Sequence, residues 1–305
     1  MKIYEYSENL NTSLSASVVA LGLFDGVHKG HRALLASAKS EAQKRGLPLV
    51  VFTFFAESKL PKSNSRLYST KVKSELLEKC GVEYVIYADF AKIANVDAES
   101  FVRDILIDKC KAKLAVTGSD FKFGKDRAGD AKLLASLMNI ARRECLLVPD
   151  FELLGKKIST SIIKELLSEG KPKLAAELLG EAYFIDGKIM HGDGRGATLG
   201  LPTVNIYLQN NSNFIKRGVY YSKVDIDGKS YTGLTNIGKC PTFEEREVHL
   251  ETFILDFSDT VYEKEARVHL IDFLREEIKF NSKEDLINQI NKDIITAKAR
   301  WKDGR

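Results

Sequence analysis

Residues 17–46 read SVVALGLFDGVHKGHRALLASAKSEAQKRG, and this stretch decides the fold of the first half of the chain. Residues 17–23 are a short apolar run, the pattern of a buried strand. Leu34, Leu35, Ala38 and Ala42 then recur at helical spacing, and the stripe stops at Gly46. Between the two, FDGVHKGH fills a strand-to-helix turn. His28 and His31 stand three apart at a helix start, where both rings can face one phosphate and free backbone N–H groups favour an anion. A zinc site is a poor reading of this pair, because no third ligand lies nearby.

The alternation continues outward. Leu49–Phe54 is a second strand, followed by a helix marked by Val72, Leu76 and Cys80 that ends at Gly81. Residues 83–87 form a strand, and Asp97 caps a helix running through Phe101, Ile105 and Lys109. A strand at 114–117, a helix at 131–143 and a strand at 145–148 complete the series. Strands alternating with helices predict an α/β domain, a doubly wound parallel sheet covered on both faces. Ligands of such sheets bind beyond the carboxyl ends of the strands.

The second half has another texture. Residues 159–167 are helical in pattern, and Gly170, Pro172 and the stretch to Gly180 form a helical linker, so the predicted domains are 1–180 and 181–305. Asp186-Gly187 and Asp227-Gly228 are hairpin turn signals. Residues 219–226 and 229–237 read as paired strands, with further strands at 249–257 and 266–273. Short strands at this spacing predict a small antiparallel β-barrel. Residues 282–301 form a terminal helix, with Ser282 and Asp285 as a capping box, Leu286, Ile290 and Ile294 as its apolar stripe, and Trp301 as an anchor.

Within that half, residues 192–205 read GDGRGATLGLPTVN. Gly192, Gly194, Gly196 and Gly200, with Arg195 and Thr198 between them, leave backbone N–H groups free to form an anion-binding concavity. Thr203 and Asn205 follow two apart and so share one face of a strand. Oxygen donors on one face suit Mg²⁺, which shares its shell with water and phosphate. The stretch therefore reads as a site for ATP with Mg²⁺.

At 305 residues, each half is long enough to bury its own core. A net charge of +4 suits small anions such as nucleotides but is not the footprint of a dedicated nucleic-acid binder. No apolar run reaches membrane-spanning length, and MKIYEYSENL carries no signal-peptide pattern. Cys80, Cys110, Cys145 and Cys240 lie far apart and read as reduced thiols. The expectation is a cytoplasmic protein, monomeric or weakly homo-oligomeric, with no nucleic-acid or membrane partner.

Residues 192–205 closely resemble the riboflavin kinase signature, in which a Gly-Arg-Gly loop leads to Leu-Gly-x-Pro-Thr-x-Asn. His-x-Gly-His at residues 28–31 resembles the signature of the nucleotidylyltransferase superfamily. Together they make the chain similar to the bacterial bifunctional riboflavin kinase/FAD synthetase (FMN adenylyltransferase) family. The resemblance implies two reactions with riboflavin, FMN, FAD and ATP as ligands: phosphorylation of riboflavin to FMN, then adenylylation of FMN to FAD with release of pyrophosphate. It implies that Phe24, Asp25, Gly26, Gly30, Ser159, Thr160 and Lys164 act with His28 and His31 on the ATP phosphates. It also implies that Glu251 is the base of the kinase step, and that Asp120, Phe121 and Arg127 in GSDFKFGKDRAGD, with Asn236 and Arg275, shape flavin sites. A salt bridge is an equal reading of Arg275.

The chain departs from the family pattern at four places. Lys122 and Lys164 stand where arginines are usual, Phe253 stands where histidine is frequent, and residues 54–58 read FFAES where Pro-His-Pro is usual. Lysine offers one point charge where arginine offers a planar fork. Two alternatives stay open at this point: a monofunctional riboflavin kinase with a degenerate first domain, and a flavin- or RNA-binding regulator without turnover.

Overall fold

A computed structural model describes residues 1–60, 65–153, 156–190, 203–207, 214–239, 248–255, 257, 261–280 and 282–303. The chain divides into two compact units, Met1–Thr160 and Ser161–Arg305.

In the first unit, strands β1 (Lys2–Glu5), β2 (Ser17–Leu21), β3 (Leu49–Phe54), β4 (Tyr84–Ala88), β5 (Ala112–Gly118) and, after a short ribbon of β6 (Lys122–Phe123) and β7 (Gly129–Asp130), β8 (Glu144–Val148) make a sheet of the five expected strands and an unexpected edge strand, β1. Its order is β1-β4-β3-β2-β5-β8, and every pairing within it is parallel. All five residues of β2 are buried, because it lies between β3 and β5 with helices on both faces. The winding reverses at β2: β3 follows on one side and β5 on the other. A sheet opens its ligand crevice where the strand order turns back, at the carboxyl ends.

Helix α1 (Lys29–Arg45) buries the expected Leu34, Leu35, Ala38 and Ala42 and stops at Gly46 in the left-handed region. Helix α2 (Thr70–Lys79) packs Val72, Leu76 and Leu77 inward from a Ser69 cap. After a short helix α3 (Phe90–Ile93), Asp97 caps as expected, accepting from Ser100 N at 2.8 Å, but only the single turn α4 (Ala98–Ser100) is α-helical. Phe101–Lys109 is a π-helix, ending with Cys110 N donating to Ile105 O at 2.9 Å. The wider coil lets Phe101, Val102, Ile105 and Leu106 all reach the core. The helix expected at 131–143, α5 (Ala131–Ile140), ends at Ile140, Arg142 takes a left-handed turn into β8, and a ribbon of β9 (Glu152–Leu153) and β10 (Lys156–Lys157) follows.

Helix α6 (Thr160–Ser168) starts at the last residue of the first unit, and with α7 (Pro172–Leu179) it precedes the antiparallel sheet of the second. Its strands are β11 (Phe184–Lys188), β12 (Thr203–Tyr207), β13 (Gly218–Ile226), β14 (Lys229–Lys239), β15 (Val248–Ile254) and β16 (Glu265–Arg275). The order is β11-β16-β13-β14-β15-β12, and the two edges meet where Met190 N donates to Asn205 O at 2.9 Å. One such bridge curls the sheet toward a barrel and leaves less open edge. Asp227-Gly228 makes the expected tight turn, both residues having positive φ between Ile226 and Lys229.

Asp186-Gly187 does not form a turn. Both lie inside β11, opposite Arg267 and Ala266 of β16. A Cβ on Gly187 would stand 2.6 Å from Ile206 Cγ2, so this glycine admits a neighbouring side chain instead of reversing the chain. The terminal helix α8 (Lys283–Asp303) begins as expected, with Asp285 N donating to Ser282 Oγ at 3.1 Å. Ile290, Ile294 and Ala297 pack it on Tyr221 and Leu234. The side chain of Trp301 and all of Cys240 lie outside the described residues.

Candidate functional sites

Beyond the end of β2 the backbone runs through three residues of unusual conformation. Phe24 (φ 50°), Gly26 (φ 81°) and Val27 (φ 41°) all lie in the left-handed region, and His28 then turns extended to cap α1. Glycine takes such a φ freely, but for phenylalanine and β-branched valine it costs about 1–3 kcal/mol each, so surrounding contacts must impose it. They do. Thr53 Oγ1 donates to Leu23 O at 2.9 Å, and Leu67 N donates to Asp25 Oδ1 at 2.9 Å. Thr160 Oγ1 donates to Asp25 O at 3.1 Å, and Arg32 Nε donates to Val27 O at 2.9 Å. Asp25 is itself buried, so its carboxylate holds the turn from within.

The strained turn delivers the two histidines. Their rings stack with centroids 3.6 Å apart and planes 16° from parallel. His31 N donates to His28 Nδ1 at 3.3 Å, which leaves the hydrogen of neutral His28 on Nε2. Burial pushes the His28 imidazole down to about 4. Burial, then the charges of His28 and Lys73, hold His31 well below the ordinary imidazole value. Both rings are therefore neutral N–H donors at physiological pH. Among the described residues His31 Nδ1 is buried without a hydrogen-bond partner, a polar atom waiting for a ligand.

His31 also lines a cavity of about 460 Å³ at the reversal between β2 and β5. Its walls include Phe24, Phe52, Phe54, Phe101 and Phe123, and its rim carries the predicted Asp120, Phe121 and Arg127 with Lys122. Apolar aromatic walls beside charged side chains suit a ligand that joins a flat ring to an anionic tail. Asp120 pairs with Lys157 at 2.6 Å, and Lys157 also reaches Asp150 at 2.9 Å. Where Pro-His-Pro is usual, Phe55 stacks on Tyr87 at 5.1 Å and Ala56 N donates to Thr70 Oγ1 at 2.8 Å. Thr160 is tied to the turn as described, and Ser159 directly precedes it. Lys164 belongs to the second unit, with its ammonium 5.5 Å from the Phe214 ring centre.

The second unit holds its own pocket, about 270 Å³, lined by Thr203, Asn236, Glu251, Arg275 and Glu277 over apolar Val219, Leu234, Phe253, Phe280 and Ile290. Thr203 Oγ1 donates to Glu251 Oε1 at 3.1 Å. Asn205 lies opposite Glu251 on the neighbouring strand, buried, with Oδ1 2.9 Å from His249 Nε2. Asn236 Nδ2 donates to Glu277 Oε1 at 3.3 Å, whereas its Oδ1 is buried and unpartnered among the described residues. Arg275 takes the salt-bridge reading: its guanidinium reaches Asp293 Oδ2 at 2.8 Å on α8 and spans the pocket floor. The predicted phosphate-loop residues Gly192, Gly194, Arg195, Gly196, Thr198 and Gly200 lie outside the described residues.

Sequence reasoning missed several contributors. Thr53 and Glu277 are single polar residues whose roles come from pairings distant in sequence. The phenylalanines of the first pocket were scattered over four elements. Lys73, buried under the strained turn, looked like any helix lysine.

A parallel sheet carrying paired histidines at its switch point, followed by an antiparallel sheet with a Thr–Glu pair at a pocket mouth, is the architecture of a two-module nucleotide-dependent transferase. An FAD synthetase family model matches residues 10–162, and a riboflavin kinase family model matches residues 179–301. A bifunctional riboflavin kinase/FMN adenylyltransferase of Haemophilus influenzae is 36% identical over 98% of this chain and 99% of its own. Its namesake in Bacillus subtilis is 35% identical over 91% of this chain and 90% of its own. A crystal structure from Streptococcus pneumoniae, described as a macrolide-efflux protein, superposes with a TM-score of 0.87 at 31% identity, covering 98% of this chain and 99% of that one. That description belongs to the other protein; among the described residues here, no helix is long and apolar enough to cross a membrane. The chain belongs to the bifunctional riboflavin kinase/FMN adenylyltransferase family.

Proposed function

We propose that this chain converts riboflavin to FMN in its second unit and FMN to FAD in its first, using ATP for both. The observation that carries the reading is that each unit couples an apolar pocket to one polar cluster suited to one of the two transfers. Matches to both family models leave the monofunctional alternative without support.

In the kinase step, Glu251 accepts the proton of the terminal ribityl hydroxyl as that oxygen attacks the γ-phosphorus of ATP and ADP leaves. The Thr203 hydroxyl orients the Glu251 carboxylate toward the pocket mouth. Residues 192–200 supply backbone N–H groups for the phosphates. Thr203 Oγ1 and Asn205 Oδ1 are hard, neutral oxygens that fit Mg²⁺ arriving with ATP, and the ion when bound neutralises phosphate charge. Asn236 Oδ1, unpartnered among the described residues, offers an acceptor to a flavin N–H.

In the adenylyl step, a phosphate oxygen of FMN attacks the α-phosphorus of ATP and pyrophosphate leaves. The nucleophile is already an anion, so positioning and charge stabilisation do the work. Neutral His28 and His31 donate N–H groups to the ATP phosphates, with the N-terminus of α1 behind them. Asp120, Phe121 and Arg127 take the flavin side. We assign 1–180 to adenylyl transfer and 181–305 to the kinase, in a cytoplasmic protein that acts on small anions as a monomer or weak homo-oligomer and has no nucleic-acid partner.

The test is to supply riboflavin, ATP and Mg²⁺ and follow the flavins by chromatography. FMN should appear first and FAD after it. FMN alone, even with FMN supplied as substrate, would defeat the assignment of the first unit.

A further inference from the structure

Helix α2 carries three lysines, and they do not share an environment. Lys71 and Lys79 are exposed, whereas Lys73 is 3% exposed. Its ammonium reaches the carboxyl ends of two central strands, donating to Phe54 O at 2.6 Å and Leu23 O at 3.4 Å. It also lies 5.4 Å from the ring centre of Tyr87, whose hydroxyl is engaged with Ser74. Among the described residues no carboxylate forms an ion pair with it; Asp25 and Glu57 attract it, and Arg66 repels it, from further off. Burying a cation without a paired anion is expensive, and such groups persist where their charge is used.

The use is set by place. Leu23 O is the last carbonyl before the strained turn, and the charge of Lys73 is felt at His31. We propose that Lys73 is a positioning residue for adenylyl transfer: it pins the entrance of the Phe24–Val27 turn and places a buried positive charge near His31, where it favours the anionic phosphates. This rests on the reading of the first unit given above. A neutral amine in the same place would still fill the space, but it would supply no field for the incoming anions.

Protonation separates the charge from the packing. Burial pulls the Lys73 ammonium down to about 8. The groups around it are Asp25, Glu57, Arg66, His28, His31 and Tyr87. Of these, His28 and His31 are neutral well below that pH, and burial pushes Tyr87 up to about 12. The charge is therefore present below about pH 8 and lost above it.

The experiment measures both reactions of the full-length wild-type chain, FAD from FMN and FMN from riboflavin, at saturating ATP and Mg²⁺ from about pH 7.5 to about pH 9.5. The kinase rate controls for nucleotide and metal speciation. We expect the ratio of FAD to FMN formation to fall more than tenfold across this range, with its midpoint near 8. In Lys73→Met, the residual FAD rate should be at least tenfold lower at the starting pH and show no inflection, while FMN formation is kept. A wild-type ratio constant within twofold, or a Lys73→Met rate that still falls with the same midpoint, overturns the proposal. Absence of FAD at every pH would instead reject the reading of the first unit.

Discussion

Thr203 and Glu251 lie diagonally across adjacent strands of the second unit, the threonine hydroxyl donating to Glu251 Oε1 at 3.1 Å. The contact holds the carboxylate at the pocket rim with one oxygen engaged and the other available. Glu251→Gln keeps shape and hydrogen bonding but cannot take a proton. Its FMN formation should fall by about 10²–10⁴-fold, the usual contribution of general base catalysis. FAD formation from supplied FMN should stay within about twofold, since the first unit has its own cluster. Chromatographic assay of each reaction separately checks both statements.

Thr160→Val removes the hydroxyl that ties the start of α6 to Asp25 O. The lost hydrogen bond at a part-buried carbonyl should cost about 1 kcal/mol of stability. Because that carbonyl belongs to the strained turn, FAD formation should drop by about tenfold through looser placement of the histidines. Thermal unfolding and the FAD assay measure the two effects, and FMN formation should not change.

The histidines also set an acid limit. His28 holds its proton only below about 4 in the folded chain, against 6.5 as its ordinary value. Between those values the unfolded chain binds a proton that the folded chain refuses, so the first unit loses stability as pH falls through this window. The loss reaches about 3 kcal/mol from His28 at the bottom of the window, and His31 adds to it in the same direction. Above the upper value the full stability is present. Denaturant unfolding of the wild type and of His28→Gln across this range should show the slope flatten in the variant.

Gly187→Ala tests the close packing of β11 on β12. The added methyl would stand 2.6 Å from Ile206 Cγ2, so the Ile206 side chain or one of the strands must shift. Overpacking of this kind costs about 1–3 kcal/mol. FMN formation should become heat-sensitive while FAD formation from FMN keeps its wild-type thermal profile.

Much of this molecule was legible from its sequence, and the exceptions share a cause. Apolar periodicity found five parallel strands and α1, since a buried strand and a one-sided helix each leave a regular trace, and missed the edge strand β1, whose residues are mostly exposed. The same two-residue signal failed once and succeeded once. Asp227-Gly228 turns the chain, whereas Asp186-Gly187 runs straight because Ile206 occupies the space beside Gly187. Local sequence cannot report that neighbour. The π-helix at Phe101–Lys109 depends on how four apolar side chains meet the sheet, and a helical pattern alone does not distinguish it from α. His28 and His31 were legible because their chemistry needs them adjacent. Thr53, Glu277 and Lys73 were not, because each acts on a group far away along the chain.

The central claim is that one chain carries both transfers, in separate places. The most direct measurement supplies FMN, ATP and Mg²⁺ to the wild type and to His28→Ala/His31→Ala, separates the flavins, and assays FMN formation from riboflavin alongside. Two separate sites should give FAD from the wild type, none from the double variant, and undiminished FMN formation in both. FAD formation that survives the double substitution, or no FAD from the wild type beside brisk FMN formation, would contradict it.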